Sequence, residues 1–420
     1  MILRAARLGL LLAAGLATAR PGLAQNPVEE LGISTSLRQG AWLSDRSLND
    51  EEGFLPAMAW LRLQPPEVDG AILRLEGWIA ARDLSDGDMD EGEGIKGELR
   101  EAYLGWFGDW HELRIGRQIV VWGRADRLNP TDNIGSRDAR LLVPEDDDQR
   151  RGSLMARERL ALGDHTLDLF WLPEFRPNRF PIRMPPPGIA LRDVDHDWEP
   201  AQFAAKLERT GADFDWSLSY FDGLDRNADF ALEPATLRLV HNRIRVIGAD
   251  AAATIGRYGL RGEIAYAHTE DGDGDDPTVK NPFVFAVVGG DRSFFQYLNV
   301  NLQYFARVTR HYRDPRDIAD PALRAAAVGA AAASGQLDPV QHGMSVRIAY
   351  SWLNETLDTE LAAIGILSDG SFALRPKIVY RAADALRLTA GADLLRGGDT
   401  DTFGRLRDNS TVFVELRYGF

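Results

Sequence analysis

The last eleven residues, Ser410 to Phe420, read S-T-V-F-V-E-L-R-Y-G-F. Successive side chains of a strand alternate sides, so Val412, Val414, Leu416, Tyr418 and Phe420 share one face. Thr411, Glu415, Arg417 and Gly419 share the other, with Phe413 as the one apolar exception. A half-charged strand ending in an aromatic residue predicts the closing strand of an outer-membrane β-barrel. One face would meet lipid and the other a polar lumen.

The opposite end agrees. Arg4 and Arg7 form a basic segment, Leu8 to Ala19 an apolar one, and Gly22-Leu23-Ala24 a small-residue cleavage site. Residues 1–24 are expected to be a signal peptide and 25–420 a single outer-membrane barrel domain. No Cys follows the apolar segment, which argues against a lipoprotein. The chain has no Cys at all, so disulfide scaffolds, Cys-ligated metals and thiol nucleophiles are excluded. Beyond the leader no apolar run reaches the length of a membrane-spanning helix. The mean hydropathy of −0.25 suits a barrel, in which alternation hides the lipid face from an average. Without Arg4, Arg7 and Arg20 the basic side chains fall from 48 by three against 63 acids, a net charge of −18. Such a charge argues against nucleic acid as a partner.

Working back from the terminus, alternating segments recur between turn-rich or acidic stretches. They predict strands over 31–43, 54–64, 70–81, 96–107, 110–122, 151–162, 165–172, 200–210, 213–222, 244–255, 258–269, 282–289, 294–309, 341–353, 358–367, 371–380, 385–395 and 408–420. The fold class is therefore all-β: a transmembrane antiparallel barrel of about 18 strands, with 16 as the alternative. Short links fall on one side, as periplasmic turns would, and long acidic links on the other, as outer loops would.

A charge facing lipid near the midplane costs about 2–4 kcal/mol, so the charged strand faces are expected to point inward. The basic side chains placed there are Arg74, Arg114, Arg157, Arg159, Lys206, Arg261, Arg347, Arg375, Lys377, Arg387 and Arg417. The acidic ones are Glu76, Glu112, Glu208, Glu263, Asp393 and Glu415. Paired, they brace the wall. In excess, the cations make a conduit for anionic or amphiphilic solutes. Tyr350, Trp352, Tyr380, Tyr418 and Phe420 sit near strand ends on the lipid face, as an interfacial girdle would.

Residues 112–140 carry the longest motif. A strand is expected to end at Trp122-Gly123, and the link beyond it interleaves Arg124, Asp126, Arg127, Asp132, Arg137, Asp138 and Arg140. Such a density of opposite charges suggests a folded, salt-bridged loop, either at the surface or bent inward to constrict the pore. Arg124, Asp126 and Arg137 join the wall residues as lumen or constriction candidates. The motif Gly116-Arg-Gln-x-Val-x-Trp-Gly-x-Ala-Asp-x-Leu-x-x-Thr-Asp132, led by Leu99-Arg-Glu-Ala-Tyr103, resembles a family of proteobacterial outer-membrane proteins catalogued as a domain of unknown function. Val287-Val-Gly-Gly-Asp-Arg-Ser-Phe294 adds to the likeness. The resemblance implies a porin-like barrel in the style of alginate-export channels, associated with envelope efflux or lipid transport. That family has no agreed catalytic residues to carry over.

Other features are weaker. Asp83 to Glu93, Glu145 to Asp148 and Glu270 to Asp276 are acidic clusters on the outer side. Asp271, Asp273 and Asp275 alternate as Ca²⁺ ligands can, but without the downstream Glu of an EF-hand. Pro173 to Pro200 is a basic, proline-rich link that turns acidic, and either covers the mouth or folds inward. Ala319 to Gly335 fits a short capped helix, as surface feature or lid. The seven His residues show no metal-ligand spacing, the best candidate being His196 among Asp193, Asp195 and Asp197. No nucleophile elbow is present. No enzyme activity and no cofactor are expected. The partners expected are outer-membrane lipid, lipopolysaccharide and the barrel-assembly machinery. The leading function is an outer-membrane channel. The alternative is a non-conducting barrel that serves an envelope efflux or lipid-transport complex as binding or assembly partner.

Overall fold

From Ile33 onward, exposed apolar side chains alternate with buried polar or small ones, and the backbone answers with strands. The computed structural model describes residues 31–44, 53–81, 96–180, 190–193, 199, 201–233 and 236–420. The expected signal peptide, the Asp83–Glu93 cluster and His196 lie outside the described residues.

Eighteen strands form the wall. They are β1 (Ile33–Ser44), β2 (Ala57–Leu63), β3 (Ala71–Ala80), β4 (Lys96–Phe107), β5 (His111–Gln118), β6 (Ser153–Leu162), β7 (His165–Trp171), β8 (Phe203–Arg209) and β9 (Phe214–Leu224). They continue as β10 (Arg243–Ile255), β11 (Tyr258–His268), β12 (Phe283–Phe294), β13 (Leu298–Thr309), β14 (Val340–Trp352), β15 (Leu357–Ile366), β16 (Phe372–Ala383), β17 (Leu386–Arg396) and β18 (Thr411–Gly419). Each pairs antiparallel with its sequence neighbours. The cylinder closes where β1 meets β18, from Ser36 opposite Gly419 to Ser44 opposite Thr411. Every expected strand is present, and barrels of this strand number leave room for an aqueous channel.

The links are unequal. One end, the turn end, has tight connections such as Gly163–Asp164 and Gly256–Arg257. The other, the loop end, carries the long ones. Two boundaries differ from expectation. Gly290–Ser293, between the expected strands 282–289 and 294–309, reads as a turn but lies within β12, where a Cβ on Gly289 would come within 2.4 Å of the Leu302 carbonyl. The turn falls instead at Phe295 and Gln296, both at positive φ (49° and 72°). The second is β5, which leaves the wall at Gln118 although the apolar alternation runs on to Trp122.

The lipid face is as the alternation requires. Ile247, Leu260, Ile264, Leu302, Val412 and Val414 are exposed on it. Tyr297, Tyr350 and Trp352 cluster at the turn end, with Tyr350 and Trp352 rings 4.2 Å apart. At the loop end, helix α1 (Pro321–Ser334) is capped by the Asp320 carboxylate on the Leu323 amide (2.7 Å) and by Gly335 at φ 67°. A three-stranded sheet, Asp229–Glu233, Thr236–Val240 and Ala190–Asp193, stands apart from the barrel wall.

Candidate functional site

The connection between β5 and β6, residues 119–152, folds into the barrel and crosses its lumen. Two glycines release it. Gly116 has φ +131°, and a Cβ there would lie 2.2 Å from the Ala102 carbonyl. Gly123 has φ +90°, and a Cβ there would meet the Glu263 carboxylate at 2.6 Å. That close approach is used. Glu263 on β11 accepts hydrogen bonds from the amides of Arg124 and Ala125 and from the Thr131 hydroxyl (3.1 Å).

Apolar packing holds the first stretch. Val120, Trp122 and Ile134 of the loop are buried against Met155, Phe170, Ala204, Phe221, Ile244, Val246, Ala265 and Ala267, the inward side chains of β6 to β11. The barrel thus has an internal hydrophobic core on one side. This explains why the alternation does not stop at Gln118: Val120 and Trp122 still need a buried partner, and they find it on the inner wall. Leu141 and Val143 pack on Met58, Trp60 and Ala80. Leu142 joins Trp42 and Phe413, whose rings stack at 5.5 Å. The apolar exception in the terminal strand is therefore the loop's seat.

Charge pins the rest. Arg124 reaches Glu208 (2.5 Å), Asp250 (2.6 Å) and Asp215 (3.3 Å) on three strands at once. Asp126 is held through its backbone by the Gln303 amide (2.9 and 2.8 Å). Arg127 meets Glu360 on β15 (3.4 Å). Asp146 pairs with Arg375, Glu145 with Lys377 (3.0 Å) and Asp148 with Arg38 (2.5 Å). Burial alone would raise the Asp146 carboxyl, but Arg375 and then Arg127 hold it below its ordinary value. The acidic cluster Glu145–Asp148, read as solvated outer surface, is thus an anchor inside the barrel. Breaking a buried pair costs about 3–5 kcal/mol because one charge is left unmatched. The loop is therefore a fixed cross-member.

The Pro173–Pro200 link supplies a second layer in its described part. The Arg179 amide donates to the Arg137 carbonyl (2.9 Å), and the Asn178 side chain accepts from the Arg137 amide (2.8 Å). Glu174 accepts from Arg117 (2.6 Å) and from the Leu154 amide (2.6 Å).

Most wall candidates are braces. Arg74 and Arg100 both hold Glu76, and Arg74 also holds Glu101. Arg157 and Arg159 share Asp168 (2.8 Å each). Arg114 pairs with Glu112, Arg261 with Asp291, Arg347 with Glu360 (2.8 Å), and Arg375 also with Asp393. The wall also holds carboxylates that the strand faces alone did not bring forward: Glu98, Glu101, Asp168, Asp215, Asp250, Asp291, Asp358 and Glu360. Arg38, Arg62, Arg100 and Arg381 are the added cations. The expected excess of lumen cations is largely cancelled by these acids.

Three candidates stand apart. Arg387 and Arg417 have no ion pair or hydrogen bond from their guanidiniums among the described residues, and neither has Arg137. Arg137 sits opposite Arg150 in a short bridge. Burial, then the Arg150 charge, lowers its pKa. Arg387 and Arg417 belong to a row. Arg381 lies opposite Arg387, Arg387 opposite Arg417, and Arg417 opposite Arg38, across β16, β17, β18 and β1. The outer two are neutralised, Arg381 by Asp358 (2.6 Å) and Arg38 by Asp148 (2.5 Å). The inner two face each other across one strand pair, an arrangement that destabilises a sheet unless something else compensates it.

At the turn end a cavity of about 510 Å³ is lined by Gln64, Tyr103, Phe107 and Arg114. A second, of about 300 Å³, lies between Arg124, Asp215 and Arg261. Asp271 is occupied by the amides of Asp275 and Asp276 (3.0 and 2.9 Å), and Asp275 by Arg313 (2.6 Å). Among the described residues no three acidic or His side chains gather as a metal ion requires.

No family model matches the chain, and no curated protein matches it in sequence. Solved structures do match. OccAB1 of Acinetobacter baumannii aligns with a TM-score of 0.55 at 9% identity, over 92% of this chain and 96% of that one. OccK5 (OpdH) of Pseudomonas aeruginosa gives 0.54 at 10%, over 92% and 97%. OccAB3 of A. baumannii gives 0.53 at 12%, over 92% and 98%. Identities this low speak for the fold alone. With its closed cylinder and apolar outer band, the chain has the fold of an outer-membrane β-barrel.

Proposed function

We propose that the protein is a porin-like channel, narrowed by the 119–152 loop, that conducts small anionic solutes along the β16–β18 and β1 side of the lumen. The observation that carries this reading is the arginine row with its two unpaired central members. A structural brace would supply each guanidinium with a carboxylate, as those of Arg74, Arg114, Arg157, Arg159, Arg261, Arg347 and Arg375 have. Arg387 and Arg417 instead leave their donors free in the lumen, where a passing carboxylate or phosphate can accept bidentate hydrogen bonds. Arg137, on the crossing loop, offers a third such group. Rings of basic side chains favour anions in pores. The short-turn end faces the periplasm in this reading and the loops face outward.

Planar-bilayer recording of the purified full chain tests it. Discrete conductance steps are expected, with small polyanions such as citrate blocking them from one side more than from the other. Absence of any conductance would contradict the channel. It would favour the other reading, a barrel closed by its cross-member that acts as a binding partner in envelope transport.

A further inference from the structure

Charge also sits on the outer wall, at the loop end, where apolar side chains are the rule. Asp222 on β9, Arg245 on β10 and His268 on β11 lie opposite one another in register. Their neighbours in sequence, Phe221, Ile244, Val246 and Ala267, are buried in the internal core. The charged row therefore faces outward. The next outward row toward the membrane middle is Tyr220, Ile247 and Tyr266, again in register. These three are 41%, 62% and 42% exposed. Arg243 completes the cluster. It donates to Asp222 (2.6 Å) and to the Ala201 carbonyl (2.6 Å). Arg245 reaches the same carboxylate only at 3.4 Å, with 59% of its side chain exposed.

One carboxylate thus serves two guanidiniums, and the cluster keeps a positive charge. Charge on the lipid face costs about 2–4 kcal/mol at the midplane but only about 0–1 near the interface. The strand ends place Arg243 and Arg245 at the interface, directly above an aromatic–aliphatic row suited to acyl chains.

We propose that Arg243 and Arg245, with His268, bind a phosphate of an outer-leaflet phosphoglycolipid, the lipid A moiety of lipopolysaccharide. Arg245 supplies the free guanidinium edge, Arg243 is oriented by Asp222 and Ala201, and Tyr220, Ile247 and Tyr266 lie along the sugar–acyl boundary. The lipid, rather than free phosphate, is the ligand because the cluster opens onto the lipid face and not into the lumen. The proposal requires the loop end to face outward but does not depend on conduction.

The test is native mass spectrometry of the full chain in detergent, incubated with bis-phosphorylated lipid A or with the same lipid after removal of its phosphates. Wild type should retain the phosphorylated form about tenfold better, as charge-assisted contacts to phosphate would give. R243Q/R245Q should lose that preference, and R245Q alone should weaken it. R245Q alters an exposed side chain with one long contact, so it tests the site even if the double variant fails to fold. Equal retention of both lipids by wild type, an undiminished preference in R245Q, or full displacement by inorganic phosphate at equal concentration would each overturn the proposal.

Discussion

The two sides of the lumen treat charge differently. On the β8–β11 side, the arginine that the crossing loop presents is answered by carboxylates on three strands. Arg124 alone meets Glu208, Asp215 and Asp250, and an apolar core around Trp122 fills the space beyond. On the β16–β18 side, arginines stand opposite arginines, and Arg387 and Arg417 have no partner among the described residues. Saturated charge fixes a structure, while unsaturated charge remains available to a solute. Both sides hold the loop, the second through Arg375 and Lys377, but in the proposed channel only the second leaves guanidiniums for a solute.

The largest expected effect comes from breaking the saturated side. Arg124→Ala leaves three carboxylates without their common cation, and should destabilise the folded barrel by about 3–5 kcal/mol. Loss of heat-modifiable mobility at lower temperature reads this out. A smaller effect is expected from Gly123→Ala. Its Cβ would lie 2.6 Å from the Glu263 carboxylate at φ +90°, which should cost about 1–3 kcal/mol. It should appear as frequent open–closed flicker in single-channel records.

Acid should release the loop at its other anchor, where Asp146 meets Arg375 on β16. The Asp146 carboxyl is held below its ordinary value of 3.8. A depressed folded value means that the anchor contributes above pH 3.8 and is lost as pH falls through the folded value. Conductance noise should therefore rise below about pH 3.8 and revert on neutralisation. The smallest effect on the fold belongs to the unpaired arginine of the crossing loop. Arg137→Gln removes no ion pair and should shift stability by less than about 0.5 kcal/mol, as thermal unfolding in detergent would show, while reducing anion block.

Much of the wall was legible in the sequence because a lipid-facing residue and a lumen-facing residue obey opposite rules. The expected segments 282–289 and 358–367 both correspond to strands. The helix at Pro321–Ser334 announced itself by Asp320-Pro321 and Gly335. The crossing loop was half legible. Its charge density pointed to a folded element, but Val120 and Trp122 look the same whether they line a wall or pack against one. Gly116 and Gly123, flanking that stretch, were the signal that the chain turns inward. Glu145–Asp148 was hidden for a different reason. An acidic run looks solvated until Arg38, Arg375 and Lys377 are brought to it from remote strands. The arginine row was beyond reach, because each member is visible alone but their opposition depends on strand register across closure. The acids that balance the wall, such as Asp168 and Asp250, sit on strands whose faces were less sharply divided.

The reversal potential in a KCl gradient tests the central claim most directly. Wild type should reverse on the chloride side of zero. R387Q/R417Q, which removes the free pair and no ion pair, should move toward zero with its single-channel conductance largely kept. Cation selectivity in wild type, or an unchanged reversal potential in R387Q/R417Q, would contradict the account.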